Sequence, residues 1–352
     1  MKIFKLLPEI LFSTMLAFNS CNEPETLVTN IIHPDGSVTR IIEIKSKGSN
    51  TDFSKAQVPY DSTWKITDTL EIKESGDTVK IRRAEKLFRN KDEINRYYST
   101  DSTINHDALR RVEFSRKFEW FSTRYRFAEI VEKSMPAGYP LSSYLNEEEL
   151  KWFYLPGKVQ SDLINGPDSL KYKTVADSVE SKTQLWLNRS IISQWISYFS
   201  TFAGSSSLKE EYLREKEDTL LEIFSENISN FDSLWAEGVI LKKMIGEQKA
   251  LQYMSEADSA LKLIQDILFQ NFSNYSVRIT MPGSLSGTNG FTDSNSVPLW
   301  EVKREYFLTE PYVMWAESTT ANSWAWIATA AILLLILARV VKWPFGKRKK
   351  GL

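Results

Sequence analysis

The residues that could carry chemistry are few. Cys21 is the only thiol in 352 residues, and His33 and His106 are the only imidazoles. A disulfide needs two Cys, and a structural zinc, iron–sulfur or c-type haem site needs more Cys/His ligands than these three residues supply. A Ser-His-Asp triad would have to recruit His33, which lies beside a turn, or His106, inside the polar run Ser102 to Asp107. Gly283-Ser284-Leu285-Ser286-Gly287 places Leu where a nucleophile elbow requires Ser, and reads as loop. Gly346-Lys347 lacks the upstream Gly of a phosphate-binding loop. Asp293-Ser294-Asn295 offers two calcium-type ligands without the sixth-position Gly or the closing Glu. Carboxylates remain: Glu113, Glu147, Glu148, Glu149, Glu210 and Glu211 could furnish a glycosidase-type pair. Most of them fall in first turns of expected helices, where negative charge complements the helix dipole. No catalytic residue, metal ligand or cofactor is therefore assigned, and the sequons at Asn188, Asn227, Asn271 and Asn274 are read as chance.

The ends of the chain are more specific. Lys2 and Lys5 precede the short apolar run Ile10 to Phe18, which is too brief to span a bilayer and fits an export signal over residues 1–20. Ser20-Cys21 follows, so Cys21 is expected to be acylated as the mature N-terminus. An ordinary cleaved signal or an uncleaved anchor is the alternative. At the other end, residues 323–341 are long enough at 1.5 Å per residue to cross the ~30 Å hydrocarbon core. Trp324, Trp326 and Trp343 fall at the interface levels, Arg339 and Lys342 can snorkel, and Lys347, Arg348, Lys349 and Lys350 form a basic tail. These residues are the expected contacts with membrane lipids. Positive-inside asymmetry places residues 342–352 in the cytoplasm and the bulk of the chain outside a bacterial inner membrane, in a single pass.

With 44 Lys+Arg against 45 Asp+Glu the formal charge is −1. The signal carries +1 and the residues from Arg339 onward +6, which leaves −8 on residues 21–338. An acidic outer region argues against nucleic acid as a partner.

The elements between these ends follow from periodicity. Leu27 to Ile32, His33-Pro34-Asp35-Gly36 and Val38 to Lys45 form a β-hairpin by turn chemistry. Trp64, Ile66, Leu70 and Ile72 share one strand face, Thr78 to Arg83 is its partner, and a short helix is expected around Leu87 to Tyr98. Val112 to Phe127 is one bent strand or two. From Asn146 the period becomes helical. Capping boxes are read at Asn146–Glu149 and Ser207–Glu210, followed by apolar positions such as Leu185, Ile192, Ile196 and Phe199, and later Leu251, Met254, Ala257, Leu261, Ile264 and Leu268. These make four or five helices. Tyr275 to Met281 and Val297 to Leu308 return to strand alternation, with loop from Pro282 to Asn295. The fold class is α+β: an antiparallel β domain from N- and C-terminal segments, a single sheet by economy of edges, with an inserted helical bundle and one C-terminal transmembrane helix. The regions are 21–135 (β-rich), 146–270 (helical insert) and 275–318 (C-terminal strands), between the signal at 1–20 and the anchor.

Met281-Pro282-Gly283, Thr288-Asn289-Gly290, Trp300, the aromatic stretch Phe118 to Phe127 and the Phe-Asn-Ser-Cys signal end together resemble a loose group of uncharacterised bacterial cell-envelope lipoproteins, of Bacteroidota kind, with a C-terminal membrane anchor. The resemblance implies an envelope location and adds no catalytic residue. Two function classes stand. One is a non-catalytic binding or structural module whose partner is another envelope protein, a lipid or a glycan; the other is an envelope hydrolase using Asp/Glu carboxylates. Converging carboxylates with perturbed pKa values would favour the enzyme, and an apolar patch the module.

Overall fold

The structure is a computed structural model that describes residues 25–47, 60–72, 78–100, 109–204, 208–226, 235, 237–269, 274–292 and 296–342. The signal, Cys21, His106, Ser207, Asp293 to Asn295, Trp343 and Lys347 to Lys350 lie outside these residues.

Inward-facing apolar residues at period 2 build two sheets. The larger contains β1 (Glu25–Ile32), β2 (Val38–Lys47), β3 (Lys65–Ile72), β4 (Thr78–Phe88), β7 (Tyr275–Thr280), β9 (Phe291–Thr292) and β10 (Pro298–Val302), in the order β3-β4-β2-β1-β7-β10-β9. The smaller contains β5 (Arg110–Phe118), β6 (Ser122–Val131), β8 (Ser284–Thr288) and β11 (Tyr312–Ala321), in the order β5-β6-β11-β8. Val28, Ile42 and Val277 from the first sheet share one core with Phe127, Met314 and Ala316 from the second, so the sheets face each other as a sandwich. Helix α1 (Lys91–Thr100) closes one side through Ile94 and Tyr98.

The fold class is α+β with the helical segment inserted between strands and an apolar helix at the C-terminus, as expected. The single sheet is replaced by two, each drawing strands from both halves of the sequence. β1 and β7 also pair in parallel, because the chain re-enters the sandwich at the end where β1 begins. The hairpin β1–β2 forms as expected around Gly36, whose φ of +90° only Gly adopts readily. Val112 to Phe127 resolves as two strands, β5 and β6. The stretch from Pro282 is not all loop: β8 pairs with β11, and Gly283, at φ +78°, lies so close to the Thr319 carbonyl that an added Cβ would come within 2.5 Å of it. The strand expected to reach Leu308 ends at Val302. Tyr306, Phe307 and Leu308 are all buried, which alternation forbids, and the backbone tightens into a 3-10 turn over Arg304–Phe307. Leu87 belongs to β4 and precedes the helix. Ile66, Leu70 and Ile72 do share a face, yet β3 is exposed along its whole length because this face runs past the core.

Among the described residues the insert comprises α2 (Glu147–Phe153), α3 (Gly157–Ile164), α4 (Ser169–Ala203), α5 (Glu210–Arg214), α6 (Glu217–Glu226), α7 (Val239–Ile245) and α8 (Glu247–Phe269), more helices than periodicity suggests, with the 35-residue α4 and 23-residue α8 as the long ones. The Asn146 capping box is present, its side chain accepting from the Glu148 and Glu149 amides while Glu149 accepts from the Asn146 amide. Lys209, and not Ser207, occupies the N-cap of α5. Leu185 and Leu251 point outward. Trp186 is buried in place of Leu185, and a break at Tyr253 (φ −113°, ψ 15°) takes Leu251 out of phase with Ala257, Leu261 and Ile264.

Three contacts set the long axis of the sandwich. The β1–β2 turn at Gly36 abuts Phe114, Arg40 meets Glu129, and Arg110 lies over the Tyr275 ring. The N-terminal ends of β1 and β7 are thus level with Arg110. The insert leaves after Val131 and returns at Tyr275, both at that end, where Phe153, Tyr154, Tyr306 and Tyr312 form an aromatic joint with ring centroids 5.0–5.5 Å apart. The opposite end carries the β5–β6 tip and the exit of β11 into α9 (Ser323–Lys342). The order along the axis is helical insert, sandwich, apolar helix.

Candidate functional site

Residues Ser323–Val340 of α9 form a helix long and apolar enough to cross a membrane, and almost none of it is covered by the rest of the chain. Asn322 sits between β11 and α9 and holds the junction. Its amide and its side-chain Nδ2 donate to the carbonyls of Phe121 and Glu119 at 2.9 and 2.8 Å, and Nδ2 also reaches the Trp120 carbonyl at 3.3 Å. Its Oδ1 accepts from Thr123 Oγ1 at 2.9 Å, and its carbonyl accepts from the Ala325 amide. One side chain thereby ties the helix start to the tip of a hairpin two hundred residues upstream.

That tip is aromatic. Phe118 stacks on Trp324 at 6.1 Å, Trp120 meets Trp324 edge-on at 5.3 Å, and Phe121 packs on Trp326 at 4.3 Å. Trp120 Nε1 donates to Thr329 Oγ1 at 2.9 Å. The five rings form a collar on the first two turns of α9, and every one of them is exposed on its outer side. Trp324 and Trp326, expected at the membrane interface, are therefore brought together with each other's surroundings on one level. Arg339 lies exposed near the far end of α9, and Lys342 is its last residue. Sequence reasoning missed Phe118, Trp120, Phe121, Asn322 and Thr329 as site residues. Glu119-Trp120-Phe121 did carry a signal, since a hairpin turn is normally polar and this one has two large aromatics.

A second group of functional types is enclosed in the sandwich. Glu129, fully buried on β6, accepts from Arg40 Nη2 at 2.8 Å, from Asn30 Nδ2 at 3.0 Å and from Tyr98 OH at 3.4 Å. Arg40 is itself buried and lies over the Tyr98 ring at 5.2 Å. Burial opposes the charge on Glu129, but the adjacent Arg40, the field of Arg110 and the Asn30 hydrogen bond outweigh it and hold the carboxyl below its ordinary value. Burial, helped by the neighbouring Glu129 charge and opposed by Arg40 and Arg110, pushes the Tyr98 hydroxyl far up, so it stays protonated and donates. Arg40 Nε and Nη1 and Arg110 Nε and Nη1 find no acceptor among the described residues. The carboxylate is saturated with donors and sealed from solvent, an arrangement that cross-links two sheets and offers no face to a substrate.

The carboxylates singled out as a hydrolytic pair do not converge. Glu113 is exposed on β5 and paired with Arg111. Glu147 and Glu148 sit in the first turn of α2, and Glu210 and Glu211 in that of α5, with Glu210 held by Arg214. Glu149 is bound by Lys182, the Asn146 amide and Ser178, which together lower its pKa to about 2. His33 flanks the Gly36 turn and contacts Thr39 Oγ1 at 2.9 Å. Asn188 is buried in α4, where its Oδ1 accepts from Gln184 Nε2 at 3.1 Å.

No protein-family profile matches the chain, so the envelope-lipoprotein resemblance rests on the quoted residues alone. No curated protein matches it either. Among solved structures, the folded domain of the LppM protein of Mycobacterium tuberculosis aligns over 86% of this chain and 92% of its own, at 10% identity and a TM-score of 0.26.

Proposed function

We propose that this protein is a membrane-anchored, extracytoplasmic module of a bacterial cell envelope that binds or scaffolds a partner and performs no catalysis. The observation that carries the reading is the order along the long axis. The helical insert joins the sandwich at the end opposite α9, so an anchored chain holds the insert away from the bilayer. β11, ten residues long, spans roughly 33 Å between those ends. Presentation at a distance suits a binding head, whose partner would be another envelope protein, a lipid or a glycan. The signal at 1–20, an acylated Cys21 and a cytoplasmic basic tail at Lys347 to Lys350 belong to the same reading, together with an inner-membrane location. Protease treatment of intact spheroplasts tests it: residues of the insert should be cleaved from outside while a C-terminal epitope tag survives. Cleavage of the tag with protection of the insert would reverse the topology and end the proposal.

A further inference from the structure

We propose that the β5–β6 tip is a second membrane element, in which Trp120 and Phe121, with Phe118 at the rim, enter the interfacial region of the same phospholipid leaflet that α9 crosses. The depth follows from the Trp120–Thr329 hydrogen bond. Thr329 lies six residues into α9, about 9 Å along its axis. Were the tip kept in water, the span would have to start below Thr329, and residues 330–342 would cover only about 20 Å of a core about 30 Å thick. A membrane-crossing α9 therefore draws the tip into the leaflet, a conclusion that rests on α9 being the span.

The tip is built to tolerate that position. A loop in lipid must satisfy its own backbone, and the carbonyls of Glu119, Trp120 and Phe121 all accept from Asn322, with Glu119 and Ser122 exchanging amide–carbonyl bonds across the turn. The Trp120 indole N–H is likewise occupied by Thr329. What remains outward is apolar ring surface, 40–53% exposed on Phe118, Trp120 and Phe121, beside the Glu119 carboxylate, which is turned back to Lys117 at 3.7 Å and Arg124 at 3.5 Å. One rung above, Lys117 lies opposite Arg124 in the hairpin register and Arg116 precedes them; Lys117 and Arg124 share the single Glu119 carboxylate, so the three cations keep a net positive charge at the height of the phosphates. Aromatic rings below a basic rung match the apolar-to-charged gradient of a phospholipid leaflet.

The test uses the full chain in phosphatidylcholine vesicles doped with a phosphatidylcholine that carries a photoactivatable diazirine in its upper acyl chain, followed by peptide mapping. Adducts are expected on the Phe118–Ser122 peptide and on α9, but not on the exposed apolar strand β3. In a Trp120→Ser/Phe121→Ser variant the tip adducts should be lost while α9 labelling persists. Labelling of α9 alone would overturn the second element and leave the span standing, as would a protein partner or second copy covering the tip. Absence of labelling on α9 itself would remove the span and this proposal with it. Equal labelling of β3 would show indiscriminate adsorption and also overturn it.

Discussion

Replacing Glu129 by Met should be among the most damaging single changes in the sandwich. The side chain is fully buried, and its removal strips Arg40 of its acceptor and leaves Asn30 Nδ2 and the Tyr98 hydroxyl without theirs. Breaking a buried ion pair from one side costs about 3–5 kcal/mol, because the surviving charge stays desolvated without compensation. Against a total stability of roughly 5–15 kcal/mol, that is about a fifth or more of what holds the domain folded. Arg40→Met should fall at the lower end of the range, since Glu129 keeps Asn30, Tyr98 and the field of Arg110. The double variant Arg40→Met/Glu129→Met removes both charges and should recover much of the loss, giving a coupling of at least about 2 kcal/mol. Hydrogen exchange of the β1, β2 and β6 amides reads these opening energies locally, without assuming that insert and sandwich unfold together. At about 1.4 kcal/mol per power of ten, Glu129→Met should speed exchange by roughly two to three and a half powers of ten. The acid limb has a fixed sign. Because the folded pKa of Glu129 is depressed, its stabilisation is complete above the unfolded value near 4.5 and is lost as pH falls through the folded value. Single-variant costs that add in the double variant to within about 0.5 kcal/mol would refute the reasoning, since they would mean that Arg40 and Glu129 do not depend on each other.

Glu149, held at about 2, contributes stability to the insert that is present above about 4.5 and fades as pH falls toward about 2; the urea midpoints of wild type and Glu149→Gln should therefore differ at neutral pH and converge near pH 2, whereas a pH-independent gap would contradict the ion pair. Leu251→Ala should change stability by less than about 0.5 kcal/mol and Ile264→Ala by about 2–5 kcal/mol, although both fall on the same expected helical stripe; equal costs would refute the break at Tyr253. Acylated full-length chain should cluster phosphatidylcholine vesicles in a light-scattering assay, and Cys21→Ser should not, because the N-terminal end of β1 faces away from α9; an acylated chain that leaves vesicles separate would contradict this geometry.

The legible parts of the fold were those encoded within a few residues of one another. Pro34-Asp35-Gly36 specifies a turn through its own backbone preferences, and the Asn146–Glu149 capping box closes on itself within one turn. The apolar stripe of α9 needs no partner at all to be recognised. What was hidden depends on distant segments. The parallel pairing of β1 with β7 is decided by where a long helical insertion returns the chain. Leu251 illustrates a subtler loss, since one residue with non-helical dihedrals re-phases a stripe that periodicity alone treats as continuous. At the site, Trp324 and Trp326 stand out in the sequence because a membrane helix predicts aromatics at its ends. Phe118, Trp120 and Phe121 acquire meaning only when Asn322 brings the hairpin alongside, a contact across two hundred residues that no local pattern reports.

The same axis changes what the lone cysteine can do. β1 starts at Glu25, level with Arg110 and remote from α9, and Cys21 precedes it by four residues. Four residues reach at most about 14 Å whatever their conformation. Thr26 stands about 20 Å along β1 from Ile32, which enters the turn beside Phe114, and Phe114 stands a further ~13 Å along β5 from Phe118 at the tip. With the sandwich axis along the membrane normal and the tip sunk about 9 Å, the start of β1 stands some 24 Å above the leaflet surface. In that orientation the four residues between Cys21 and β1 are too few to reach the leaflet that α9 crosses while β1 keeps its place at the centre of the larger sheet. Acylation at Cys21 would therefore attach at the end of the sandwich that carries the helical insert, the end opposite α9.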